Sequence, residues 1–162
     1  MANPDANHYQ HLINTGILMV ESGRQQLSTI PPQNVPGAHY SLGLSGILAA
    51  VGYLMSGQVN ESRDWFRQSA EDFLSAQGIY PDTVTAEKRA LECALFCGDP
   101  GFQYETAQQI RSREAKRMPL EYPYAMFLKY CILGEDTEAA KYAEGTAAVN
   151  VYMVKKLGGY GT

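Results

Sequence analysis

Charge is missing from a long stretch of this chain: between Arg24 and Glu61 there is no Lys, Arg, Asp or Glu. The middle of that stretch, Leu42 to Met55, is mostly apolar, which raises the question of a membrane segment. A span needs about 20 predominantly apolar residues, whereas this core is about 14 long, broken by Gly43, Ser45, Gly46 and Gly52, and has no basic flanks. A central, fully buried helix is therefore expected. Cysteine is also scarce, and Cys93, Cys97 and Cys131 leave at least one thiol unpaired. No apolar leader follows Met1, so a reducing cytoplasm is the expected setting. A basic excess is lacking too: the net charge of -4 supplies no field to gather nucleic acid or anionic lipid.

Motifs that carry chemistry are equally sparse. Ser45 lies in an apolar run and not in a nucleophile elbow, and there is no phosphate loop ending in Lys-Ser or Lys-Thr and no His-Glu-x-x-His. Cys93 and Cys97 lie four apart on one helix face, but burial as small apolar side chains accounts for them better than zinc does. His8 and His11 have a spacing that can present two imidazoles to a metal, yet polar residues near a terminus ordinarily face water. We expect no catalytic residue, no cofactor and no metal.

What remains is a chain of 162 residues, 45% apolar and 19% charged, enough to bury a core without staples. Apolar residues recur at three and four rather than two, which predicts about seven helices and an all-α fold. The first helix is expected near Asp5 to Leu27 with Leu12, Leu18 and Val20 inward, ending before Pro31-Pro32. The second runs from about Ala38 to Ser56. Asn60 is expected to cap the third, which turns Phe66, Ala70, Phe73 and Leu74 inward and Arg63, Asp64, Arg67, Glu71 and Asp72 largely elsewhere. A fourth covers Thr85 to Cys97 with Leu91, Ala94 and Leu95 on a stripe, and a fifth carries Ala107 and Ile110. The sixth includes Tyr124, Phe127, Leu128 and Cys131. Thr137 is expected to cap the last, with Ala140, Ala143, Ala147, Val151 and Val154 as its stripe. Residues 1–157 read as a single helical domain and 158–162 as a flexible C-terminal tail.

Helix pairs turn at Gly57, Gly98 and Gly134, spaced 41 and 36 residues apart, and periods of roughly 34 to 45 residues belong to helix-pair solenoids. On these glycines, with Ser62, Ser69 and Ala139 as the small residues that follow, the chain resembles the tetratricopeptide family from about Ala38 to Leu157. Gly98 fits least, because Pro100-Gly101 is expected to lengthen its turn. The resemblance implies antiparallel hairpins stacked as a short α-α superhelix that binds another protein on a concave face. Length, acidic charge and glycine-turned pairs also make the chain similar to the immunity protein 49 family of polymorphic-toxin systems, which implies a toxin as partner.

Tyrosine is abundant, with eleven, and combines an apolar body with a polar tip suited to recognition surfaces. Tyr40, Tyr53, Tyr124 and Tyr130 fall on the first helices of their pairs and are the candidates for a binding groove. The basic run containing Arg111, Arg113, Lys116 and Arg117 is a second candidate contact for an acidic partner. The expected function is thus non-catalytic protein binding. A toxin-neutralising protein and a ligand carrier or enzyme with a pocket between helices are the alternatives, and an uncapped apolar end face points to a homodimer. No membrane and no nucleic acid partner is expected.

Overall fold

A computed structural model describes residues 5–76, 83–114 and 123–142. Among them are seven α-helices and no strand, so the protein is all-α. They group into two compact units, Met1–Thr83 and Val84–Thr162. The expected stripe positions Ala143, Ala147, Val151 and Val154, and the tail 158–162, lie outside the described residues.

In the first unit, α1 (Ala6–Gln26) packs on α2 (Val35–Met55), which packs on α3 (Val59–Ser75). A 3-10 turn at Pro32–Asn34 leads into α2, which starts three residues earlier than expected. Pro36 explains the difference: in the first turn its missing N–H has no partner to lose, so proline begins this helix instead of preceding it. The core holds Ile13, Val20, Leu42, Phe66, Ala70, Phe73 and Leu74. Leu18 is a correction, since it is 67% exposed, two residues off the stripe formed by Ile13, Gly16 and Val20.

Helix α2 is apolar all round, and its neighbours reach it through glycine. A β-carbon on Gly16 would sit 2.6 Å from the Ala49 nitrogen and 2.9 Å from the Ser45 carbonyl oxygen. One on Gly52 would sit 2.7 Å from Ile13 Cγ1 and 2.9 Å from the Tyr9 oxygen. Both clashes involve backbone, so α1 and α2 would have to separate. On the opposite flank, Gly43 accommodates the Phe73 ring, 2.7 Å from where its β-carbon would be.

The second unit contains α4 (Thr83–Cys97), α5 (Pro100–Glu114), α6 (Pro123–Leu133) and α7 (Asp136–Ala140). Ala90, Leu91, Ala94 and Leu95 of α4, Ala107 and Ile110 of α5, and Leu128 of α6 are buried there. Ala140, expected on a core stripe, is exposed at the end of α7, while Ala139 is buried in its place.

The three hairpin glycines all adopt the left-handed conformation, with φ of 81°, 70° and 74° at Gly57, Gly98 and Gly134. At Gly57 the Gln58 N–H reaches the Tyr53 carbonyl at 2.9 Å and the Gly57 N–H reaches Leu54 at 3.1 Å. Glu135 to Tyr130 and Gly134 to Cys131 repeat this pair, which satisfies the orphan carbonyls of a helix end. The turn at Gly98 is not lengthened as expected. Pro100 is the first residue of α5, so each of the three helices restarts two residues after its glycine. Asp99 caps that start, its Oδ1 accepting from the N–H groups of Gly101 at 3.0 Å and Phe102 at 3.2 Å.

The same rule corrects two expected caps. The capping position is the residue directly after the glycine, Gln58 before α3 and Glu135 before α7, so Asn60 and Thr137 lie inside their helices. Five residues after each glycine stands a buried side chain: Ser62, Gln103 and Ala139. Two of these tie their hairpin shut, Ser62 Oγ donating to the Ala50 carbonyl at 2.7 Å and Gln103 Nε2 to the Leu95 carbonyl at 3.3 Å.

Gly16→Ala is expected to lower unfolding free energy by about 1–3 kcal/mol despite alanine's better helix propensity. Gly57→Ala, with no atom within 4 Å of the new methyl, costs only the left-handed penalty of about 1–2 kcal/mol. Gly101→Ala, whose nearest neighbour is the Asp99 carboxylate at 3.4 Å, serves as the neutral control. Urea titrations followed by circular dichroism rank the three.

Candidate functional site

Two helices flank α2, and their positions decide which of its faces stays open. Ser45, Ala49 and Gly52 meet α1, whereas His39, Gly43, Gly46 and Ala50 meet α3. Ser41, Leu44, Leu48, Val51 and Met55 lie on the remaining side, at successive spacings of three, four, three and four, and none of them is buried. That spacing keeps all five on one seam of the helix. Leu44 is 39% and Met55 54% exposed, and Leu18 and Met19 of α1 extend the apolar surface at 67% and 47%. Between the second half of α1 and the first half of α2, an open groove of about 520 Å³ lies among Met19, Gly23 and Ile30 on one side and Ala38, Ser41 and Ser45 on the other. Its lining contains no charged side chain.

By length and composition, Pro32–Met55 is the one helix among the described residues that passes as a membrane span, a test that core helices also pass. Only 39% of its most apolar stretch is buried, so α2 is not the fully buried helix expected: α1 and α3 cover two of its sides and leave the third open.

The ionic feature of this unit is Asp72, which sequence reasoning placed on the solvent side of α3. It is buried, 4% exposed, because position 72 adjoins the buried stripe of Ser69 and Phe73. Arg24 of α1 grips it with two hydrogen bonds, Nη2 to Oδ2 at 2.7 Å and Nη1 to Oδ1 at 3.2 Å, and His39 Nδ1 of α2 lies 3.0 Å from Oδ1. One carboxylate therefore joins all three helices. The only visible signal was that Arg24 is the last charge before the uncharged stretch, and nothing in the pattern pairs it with residue 72.

The four candidate tyrosines are divided between the two units, Tyr40 and Tyr53 in the first and Tyr124 and Tyr130 in the second. Tyr40 is half-buried and meets the buried Phe73 edge-on, with centroids 5.3 Å apart, so its ring belongs to the α2–α3 packing at the border of the open seam. Tyr53 is half-buried. In the second unit Tyr130 stacks on Tyr142 at 5.9 Å, and the buried Lys129 ammonium lies 4.4 Å from its centroid and 3.6 Å from Met126 Sδ. The Tyr124 side chain lies outside the described residues. Of the basic cluster, Arg111 spends its charge on Glu135 at 2.6 Å, a hydrogen bond that raises its already high pKa. Arg113 is half-exposed, and Lys116 and Arg117 are outside the described residues.

Cys93 and Cys97 are buried, and burial pushes the Cys93 thiol far above its usual range. The Cys97 thiol donates to the Ala94 carbonyl at 3.0 Å. Among the described residues no group of three His, Cys, Asp or Glu side chains could hold a metal ion. Nearby, burial raises the Glu92 carboxyl, opposed by Lys88 and Arg89. No family model, no curated protein and no solved structure matches this chain, so its function is argued from geometry.

Two measurements probe these environments. Arg24→Met is expected to cost about 2–3 kcal/mol in urea unfolding, more than Asp72→Ala, because it strands the buried carboxylate with only His39, whereas Asp72→Ala leaves a half-open Arg24 that water can reach. Cys93, protonated and enclosed, is expected to resist iodoacetamide at pH 8 in the folded protein and to react once guanidinium is added, as peptide mapping would reveal.

Proposed function

We propose that this chain is a non-catalytic protein-interaction module, and that its working surface is the open seam of α2 together with the exposed flank of α1. The observation that carries this reading is the apolar, uncharged strip of Leu18, Met19, Leu44, Leu48, Val51 and Met55. Isolated surface apolar residues need no explanation, but a contiguous strip beside an open groove is the form that recognition surfaces take. Methionine at both ends of the strip supports it further, since the flexible thioether adapts to a partner's contours.

The groove is open and mostly apolar rather than closed around convergent polar groups, which favours a protein partner over a small-molecule substrate. The resemblance to tetratricopeptide hairpins is compatible with this reading, with the weight moved from tyrosines to an aliphatic seam. Tyr40 borders that seam and contributes its edge.

The test is capture of partners from the native host with wild-type protein and two variants. Leu44→Glu is expected to reduce the captured partner at least tenfold while far-UV circular dichroism stays the same, because the carboxylate would have to be desolvated at the centre of the contact. Arg111→Ala removes only the ion pair with Glu135 and is expected to capture as wild type does. Loss with Arg111→Ala and not with Leu44→Glu would place the site on the basic cluster instead.

A further inference from the structure

We infer that the occupant of the α2 seam is a second copy of this chain, docked antiparallel about a two-fold axis near Leu48; this rests on the reading of the seam as a protein-binding surface. Three properties of the seam argue for self-association. The first is shape. Ser41 and Met55 lie seven residues to either side of Leu48, about 10 Å along the helix in each direction. The Ser41 end is the hollow one, where Ala38, Ser41 and Ser45 floor the groove against α1. The Met55 end is the projecting one, with a side chain more than half exposed. An antiparallel two-fold therefore sets Met55 of each copy over the hollow of the other, and a surface with a knob and a hole equidistant from one point is self-complementary in the way an isologous interface requires.

The second property is charge. A protein of net charge -4 repels its own copies in general, but residues 25 to 60 contain no Lys, Arg, Asp or Glu, so the α2 parts of two seams meet without like charges opposed. A heterologous partner gains nothing special from this neutrality. The third is area. The exposed parts of Leu18, Met19, Leu44 and Met55 come to roughly 450 Å² of apolar surface, and since interfaces are about 60% apolar this corresponds to roughly 700 Å² per partner, near the standard size for a stable contact.

Sedimentation velocity of the full chain across the micromolar range is expected to show a reversible monomer–dimer equilibrium. L48E, which would place two carboxylates together at the axis, is expected to raise the dissociation constant at least tenfold with an unchanged circular dichroism spectrum. L48C provides a test that does not depend on a destabilising charge: under mild oxidation it is expected to give a disulfide-linked dimer joined through residue 48, identified by peptide mapping and missing from the wild type. A monomer at every concentration, or a dimer indifferent to L48E with no crosslink through residue 48, would overturn the inference. Co-sedimentation of the wild type with phosphatidylcholine vesicles, abolished by L48E, would also overturn it by assigning the seam to a lipid surface. If the wild type is monomeric yet Leu44→Glu still abolishes partner capture, the second copy is excluded and the interaction module stands. If capture is also unaffected, both fall.

Discussion

Backbone-to-backbone approach of α1 to α2 is the constraint on which the first unit depends. Gly16 and Gly52 leave no room for even a methyl group between the helices, and Gly43 makes the equivalent space for Phe73 on the other flank. Close approach means that α2 can be held on two sides mainly by small residues, so apart from the buried Leu42 few of its large aliphatic side chains are consumed in holding it. They are left for the third side. An α2 packed through leucines would have buried its apolar stripe inward and turned polar residues out. The glycines and the open apolar seam are thus two results of one packing choice.

The ionic junction at Asp72 complements that arrangement. Van der Waals contact through glycine is short-ranged and tolerant of sliding along the helix axis, whereas a bidentate Arg24–Asp72 pair accepts one register. His39 adds α2 to the same carboxylate. Buried ionic groups cost desolvation and are weak sources of net stability, so the junction is better understood as setting alignment among three helices than as adding cohesion. It lies on the α3 side of α2, away from the open seam.

Much of the fold was legible from residues. The helix count, the three left-handed glycines and most of the inward stripes follow from period and from glycine's freedom at positive φ, which are local properties. Capping was misjudged for a local reason that sequence alone hides. A two-bond closure at Gly57 or Gly134 fixes the restart of the next helix, so the favourable residue types Asn60 and Thr137 never had access to the capping position. Pro100 did not lengthen its turn because it takes the first position of α5, where a missing N–H costs no hydrogen bond. The open seam was harder to see. A helix apolar on every side gives no periodic signal of which face is covered, and that depends on glycine contacts made across helices. Asp72 was missed because charge predicts exposure unless a partner is known, and Arg24 lies 48 residues away.

The order of α1 before α2 carries a consequence for synthesis. Emerging from a ribosome, the uncharged stretch from residue 25 to 60 is the part of this chain most prone to stick to other nascent proteins. Its first cover, α1, is already outside when it appears, and its second, α3, follows after a turn that closes on hydrogen bonds spanning five residues or fewer. Contacts so near in sequence form fast. The arrangement shields two flanks of the adhesive helix within moments of its exit and leaves the third to be met by whatever is at hand.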